Sequence, residues 1–312
     1  KLTSLKSHTK KQTLEASSSL ETTSMVLSNG ITLLLNRRDD LPIVSIQTSA
    51  LGGLRSETKT TAGVSSLLSD VWDYGPQGMS SEHFAEALDR LGAKVSAFAG
   101  RNSIGLSATM LTQRMDSSLP LYVDTLFNPA LNEAEVERSK RVAIEDIQTF
   151  EDDSGRLVGR SFNEVLFEGH PYSQPLVGYE ESVRSMSAKS IRDHYTRCVT
   201  NGDLYIAVSG KFNEEAVIDT FSKINRTNSK AKKEGVNDLR AKLNYTPPKA
   251  SRLVEIKKNR EQSHIIIGFE GLAIDSPFRF HMKLLMTTLS GQSGRLFREI
   301  RDKQGLCYTV AP

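Results

Sequence analysis

From Gly52 to Phe84 the chain reads GGLRSETKTTAGVSSLLSDVWDYGPQGMSSEHF. Within it Val64, Leu67, Leu68, Val71 and Trp72 recur at i, i+3, i+4, i+7 and i+8. That period predicts an amphipathic helix whose apolar face is committed to a packed interior. Trp72 belongs to that face as a core aromatic. Ser66, Ser69 and Asp70 are among the polar residues interleaved with it. A glycine-rich strand end and a loop holding Glu57 lead into the helix.

The flanking sequence predicts the layer this helix covers. In MVLSNGITLLLN two strand-like runs flank Asn29-Gly30, the strongest short hairpin signal. PIVSIQTSA alternates and reads as the next strand. SSEHFAEALDRLGA has serines for an N-cap and Gly92 at its end, so it predicts a helix with Phe84, Leu88 and Leu91 inward. His83 and Glu82 are sequential on it and diverge, which gives His83 a surface position. AKVSAFAG and SIGLSATM alternate as two strands, with Arg101-Asn102 near their turn. Helices are expected over 112–127, 132–151, 154–168, 187–198 and 213–225, and a strand over LYIAVSG. The second of these carries Val136, Val142, Ile144 and Ile147 as its apolar residues. His194, near the end of the fourth, suits a helix C-terminus at the surface.

Residues 1–22 are rich in Lys, Ser and Thr without an apolar period, which predicts a flexible arm. Residues 226–249 are charged, bear Gly and Pro, and read as a linker, with Lys230, Lys232 and Lys233 as a solvated basic cluster. The expected domains are therefore 23–225 and 250–312. Within the second, RLVEIKK, SHIIIGFE and LCYTVA predict strands; SPFRFHMKLLMTTLSG and GRLFREIRDKQG predict helices.

The 312 residues suit two domains. Hydrophobic residues are 38% and charged residues 25%, the balance of an ordinary globular chain. A net charge of +3 is too small to argue for nucleic acid or a membrane surface. No run approaches the roughly 18 apolar residues of a membrane span. Cys198 and Cys307 sit outside any C-x-x-C pair and read as free thiols, with one disulfide left open. The chain begins with Lys and no signal-type apolar core follows, so any targeting segment is expected to have been removed.

The helix from Val64, with its preceding Glu57 loop, resembles the zinc helix of the M16 peptidases, the relatives of pitrilysin and mitochondrial processing peptidase. Active members carry H-x-x-E-H there: two imidazoles at i and i+4 face one metal, and the Glu is the general base. Here that frame reads Ser66-Leu67-Leu68-Ser69-Asp70. RSKRVAIEDIQTFEDD resembles the distal helix that supplies the last ligand, and puts Glu145 at its position. NEVLFEGHPYSQPLVGYEES, NGDLYIAVSGKF and GRLFREIRDKQGLCYTV resemble later family segments. The resemblance covers residues 24–312. It implies an α+β fold of two related domains, each a largely antiparallel sheet with helices packed on one face, the second cut short in this chain. It also implies that the edge near AKVSAFAG borders a cleft where a peptide adds as a strand.

Hydroxyls are not usual zinc ligands, and two carboxylates without a His make a poor zinc site. Ser66, Ser69, Asp70 and Glu145 are therefore expected to be vestigial positions, and the chain to bind no catalytic zinc. The resemblance implies a peptide-contact role for Arg295 and Tyr308; the plain alternative is Arg295 paired with Glu299 on a helix surface. The expected function is a non-catalytic half or subunit of an M16 zinc peptidase. It would lend cavity wall and peptide contacts to a zinc-bearing partner lobe, from a bacterial setting in the periplasm or cell envelope. The expected partners are that lobe or subunit and an unfolded peptide, with a homodimer as the other assembly. A purely structural scaffold subunit is the alternative. No G-x-S-x-G elbow, Walker loop, G-x-G-x-x-G or H-E-x-x-H supports an enzyme of another kind.

Overall fold

The computed structural model describes residues 22–150, 152–226, 245–247 and 250–312. The arm expected over 1–22 and the linker expected over 226–249 fall almost wholly outside these residues. Two compact units divide after His264, the second being Ile265–Pro312.

The first unit is built on one six-stranded sheet. Its strands are β1 (Thr23–Val26), β2 (Ile31–Arg37), β3 (Ile43–Leu51), β4 (Lys94–Ala99), β5 (Ser103–Leu111) and β6 (Leu204–Gly210). They lie in the order β1-β2-β6-β3-β5-β4. Only the β2–β6 pairing is parallel. The turn at Asn29-Gly30 joins β1 to β2, with Gly30 at φ 82. Asn29 does a second job there: its Nδ2 donates to the Phe221 carbonyl at 2.8 Å, tying the hairpin to the last helix of the unit. Ile31, Leu33 and Leu35 alternate inward on β2, as the period of a strand demands.

Eight helices accompany this sheet among the described residues: α1 (Val64–Trp72), α2 (Ser81–Leu91), α3 (Met115–Phe127), α4 (Glu133–Phe150), α5 (Ser154–Leu166), α6 (Glu180–Ser185), α7 (Ala188–Tyr195) and α8 (Glu214–Ser222). The α1 stripe is buried as its spacing demands: Val64, Leu67, Leu68, Val71 and Trp72 all join the core. Trp72 donates its indole N–H to the Thr125 carbonyl and meets Tyr195 edge-on. α2 starts at Ser80, whose hydroxyl accepts from His83 N–H, and stops at Gly92 in the left-handed region. On α4, Val136 and Ile147 face the core, but Val142 turns to solvent. Residues 136 and 142 are six apart, about 240° round a helix of 3.6 residues per turn, so they cannot share a face.

The N-terminus of α1 is held from outside. Glu57 accepts from the Gly63 N–H at 2.8 Å and the Ser65 N–H at 3.0 Å. A helix start leaves such donors unpaired, and its dipole favours an anion there. Gly63 (φ +95) and Gly178 (φ +82) sit back to back: a Cβ on the first would strike Val177 O, and one on the second Ala62 O. This close approach presses the 177–178 loop onto the helix start, where Ser182 Oγ also donates to Ala62 O.

The second unit holds a helix, Arg279–Leu289, and a wide helical turn over Phe297–Asp302. Three strands predicted over 250–312 do not form, whichever unit they fall in: 252–258, 263–270 and 306–311 join no strand ladder among the described residues. A strand exists only as one side of a ladder, whatever its propensity. Lacking one, these segments leave Leu253 94% and Phe269 85% exposed.

Glu57→Ala is expected to lower the stability of the first unit by about 1–3 kcal/mol, since two donors at a buried helix start lose their acceptor. Urea unfolding followed by circular dichroism measures it; an unchanged midpoint would contradict this account of the cap.

Candidate functional site

The residues that resemble a metal frame fall on two helices, Ser66, Ser69 and Asp70 on α1 and Glu145 on α4. Ser69 turns its hydroxyl back onto α1, donating to the Ser66 carbonyl at 2.8 Å. Such back-bonding occupies the only proton a serine has to give. Asp70 stands at the rim, exposed to solvent on one side. Partial desolvation pushes its carboxyl up to about 6, and the charges of Asp73 and Asp146 add to the effect. Glu145 is exposed on α4. The α4 acid whose charge Asp70 feels is Asp146, the next residue along. No group of three or more His, Cys, Asp or Glu among the described residues is placed to hold a metal ion. The donors here do not fit zinc: two serine hydroxyls, that of Ser69 bonded to its own helix backbone, and carboxylates without an imidazole.

Beneath α1 lies a polar cluster that sequence reasoning missed. His194 is not at the surface: it is buried on α7, with Nε2 2.9 Å from Ser65 Oγ and 3.8 Å from Cys198 Sγ. Burial, with the nearby Arg197 charge, pushes the imidazole down to about 4. Burial pushes the Cys198 thiol up to about 12, which makes it a poor nucleophile. Both cysteines are free. The apolar residues of α7 at Ile191 and Tyr195 were the available signal: His194 stands at i+3 from the first and beside the second, on the inner side.

A further cluster joins the β4–β5 turn to the segment after α5. The Arg101 guanidinium lies 5.3 Å from the Tyr172 ring centroid and 5.9 Å from that of Phe167. Tyr172 donates its hydroxyl to Asn102 Oδ1 at 2.6 Å, and its N–H to His170 Nδ1 at 3.1 Å.

In the second unit Arg295 and Tyr308 are both exposed, Tyr308 by 85%. The cation over the Tyr308 ring is Arg301, at 5.1 Å. Glu299 forms its ion pair with Lys303 at 2.8 Å, not with Arg295.

Known proteins share this sequence pattern and fold. Residues 38–180 match the family model described as Insulinase (Peptidase family M16), and residues 185–312 match the Peptidase M16 inactive domain. The chain is a member of peptidase family M16, of the type whose zinc motif is lost. The zinc protease YmxG of Bacillus subtilis, itself described as uncharacterised, is 27% identical over 283 residues, 90% of this chain and 67% of that one. The chain thus spans about two thirds of that relative. A peptidase M16 inactive domain from Pseudomonas fluorescens has the same fold, with a TM-score of 0.74 at 18% identity over 94% of this chain and 70% of that one. The periplasmic protease PqqL of Escherichia coli superposes with a TM-score of 0.59 at 14% identity, over 67% of this chain and 24% of that one.

Two pH dependences follow. The fold favours the neutral form of Asp70, so its contribution is complete below 3.8 and is lost as pH rises through about 6. Asp70→Asn is therefore expected to stabilise the protein at pH 8, by roughly 0.5–1 kcal/mol given its contact with solvent, and hardly at all at pH 4. Melting temperatures at the two pH values test this; an equal gain at both would refute it. His194 is kept neutral, so its contribution is complete above 6.5 and is lost as pH falls through about 4. Acid should remove up to about 3 kcal/mol by this route. His194→Gln should flatten that limb of the stability curve, as read by urea titration at each pH.

Proposed function

We propose that this chain is a non-catalytic half of an M16 peptidase assembly, which lends cavity wall and peptide contacts to a zinc-bearing partner lobe and holds no zinc itself. One observation carries this reading: the helix frame of the family is kept, while its donor positions hold Ser66, Ser69 and Asp70. The order and spacing of the family segments support it, and so does the likeness to part of a longer protease. The scaffold for α1 is intact, so the loss lies in the chemistry and not in the fold.

The contacts are assigned to Arg295 and Tyr308. Their exposure leaves them accessible. A guanidinium donates several bonds while staying charged, and a phenol adds a hydroxyl on a rigid face. Both suit the carbonyl groups of an unfolded peptide.

The decisive experiment mixes the protein with its zinc-bearing partner and follows cleavage of an unstructured peptide. The pair is expected to cleave; this chain alone should not, and it should purify with substoichiometric zinc. Arg295→Ala combined with Tyr308→Phe should lower kcat/KM about tenfold, some 1.4 kcal/mol of lost binding. An unchanged rate would remove the contact role. A stable complex free of any peptidase would instead favour a scaffold.

A further inference from the structure

β4 is the outermost strand on its side of the sheet. Its inner edge pairs with β5 from Lys94 to Ala99. The outer edge of such a strand presents backbone groups that any extended chain can pair with, and proteins commonly obstruct it. Along an antiparallel strand, alternate residues direct both backbone groups to the same side. The Ala97 N–H donates to Asp73 Oδ2 at 3.0 Å, so Ala97 belongs to the outward set, with Val95 and Ala99 two residues to either side. The acceptor comes from a residue 24 positions away in the chain, not from a strand.

The placement of Asp73 has no explanation in its own helix. It is the C-cap of α1, where the helix dipole disfavours an anion, and Asp70 adds another negative charge nearby. Neither the cap nor the neighbouring charges reward a carboxylate here. The bond across to β4 does. α1 packs directly against β4, which brings its C-terminus to the strand's margin.

We propose that Asp73 guards the open edge of β4: its carboxylate occupies the place that the carbonyl of an added peptide strand would take on Ala97. The occupant it excludes is an extended peptide without acidic residues, since Asp70, Asp73 and Asp146 already repel acidic ones. For this chain the guard replaces the expectation that a peptide adds as a strand along AKVSAFAG, since the Ala97 N–H of that edge is already taken; the contacts assigned to Arg295 and Tyr308 do not depend on it.

Two measurements test it. Amide hydrogen exchange on the unmodified protein should show the Ala97 N–H protected. Exchange as fast as an unstructured amide would overturn the proposal without any variant. Binding of a fluorescein-labelled alternating Val/Thr peptide, read by anisotropy, then compares side chains. Asp73→Ala should bind about tenfold more tightly than the parent and expose the Ala97 amide. Asp73→Asn, which keeps an acceptor oxygen, should keep both the protection and the weak binding. Equal affinity of the parent and Asp73→Ala, with the β3 and β5 amides still protected, would refute the guard. So would Asp73→Asn behaving as Asp73→Ala does.

Discussion

The carboxylate of Glu57 holds α1 in place by an interaction that neither residue's local sequence supplies. The helix begins at Val64 after a left-handed glycine, a start with no side-chain cap of its own. Glu57 reaches across the preceding loop and closes two of its free donors. With Gly63 and Gly178 in contact, the helix start, the 177–178 loop and Ser182 form one packed corner. Everything placed by α1 inherits that position: the Trp72 side chain in the core, Ser66, Ser69 and Asp70 on its polar side, and Asp73 at the sheet edge.

This division of labour separates the residues that hold the fold from those at the metal-frame positions. The stripe of Val64, Leu67, Leu68, Val71 and Trp72 does the packing, at roughly 1.5–3 kcal/mol for each large side chain fully buried. The residues that would bind metal lie beside that stripe. Exchanging them for serine or aspartate removes a ligand set without opening a cavity, so the sheet and its helices persist. The charges of Asp73 and Asp146 raise the proton affinity of Asp70, where a bound cation would lower it.

Much of the first unit was legible because its signals are local. Asn29-Gly30 marks a hairpin, Ser80 and Gly92 bracket a helix, and the α1 period marks a buried face. What escaped depended on partners distant in sequence. His194 looked like a surface cation at a helix end, but Ser65, from a helix far back in the chain, receives it in the interior. Asp146, which no sequence signal singles out, is the α4 acid whose charge reaches Asp70. The strands expected at 252–258, 263–270 and 306–311 have the right residues, but propensity cannot provide a neighbour. The Asp73–Ala97 bond had no sequence signature, since it joins a helix cap to a strand.

The chain has one tryptophan, and it is wholly buried in the first unit. Its ring rests against Tyr195 and its N–H is bonded to Thr125, so its emission is set by the packing of α1, α3 and α7. Tryptophan emission, excited at wavelengths tyrosine does not absorb, is thus a local optical gauge of the six-stranded unit; Ile265–Pro312 has no tryptophan. Far-ultraviolet dichroism sums over both, and comparing the two signals in one denaturation experiment separates the cooperativity of the units without a label.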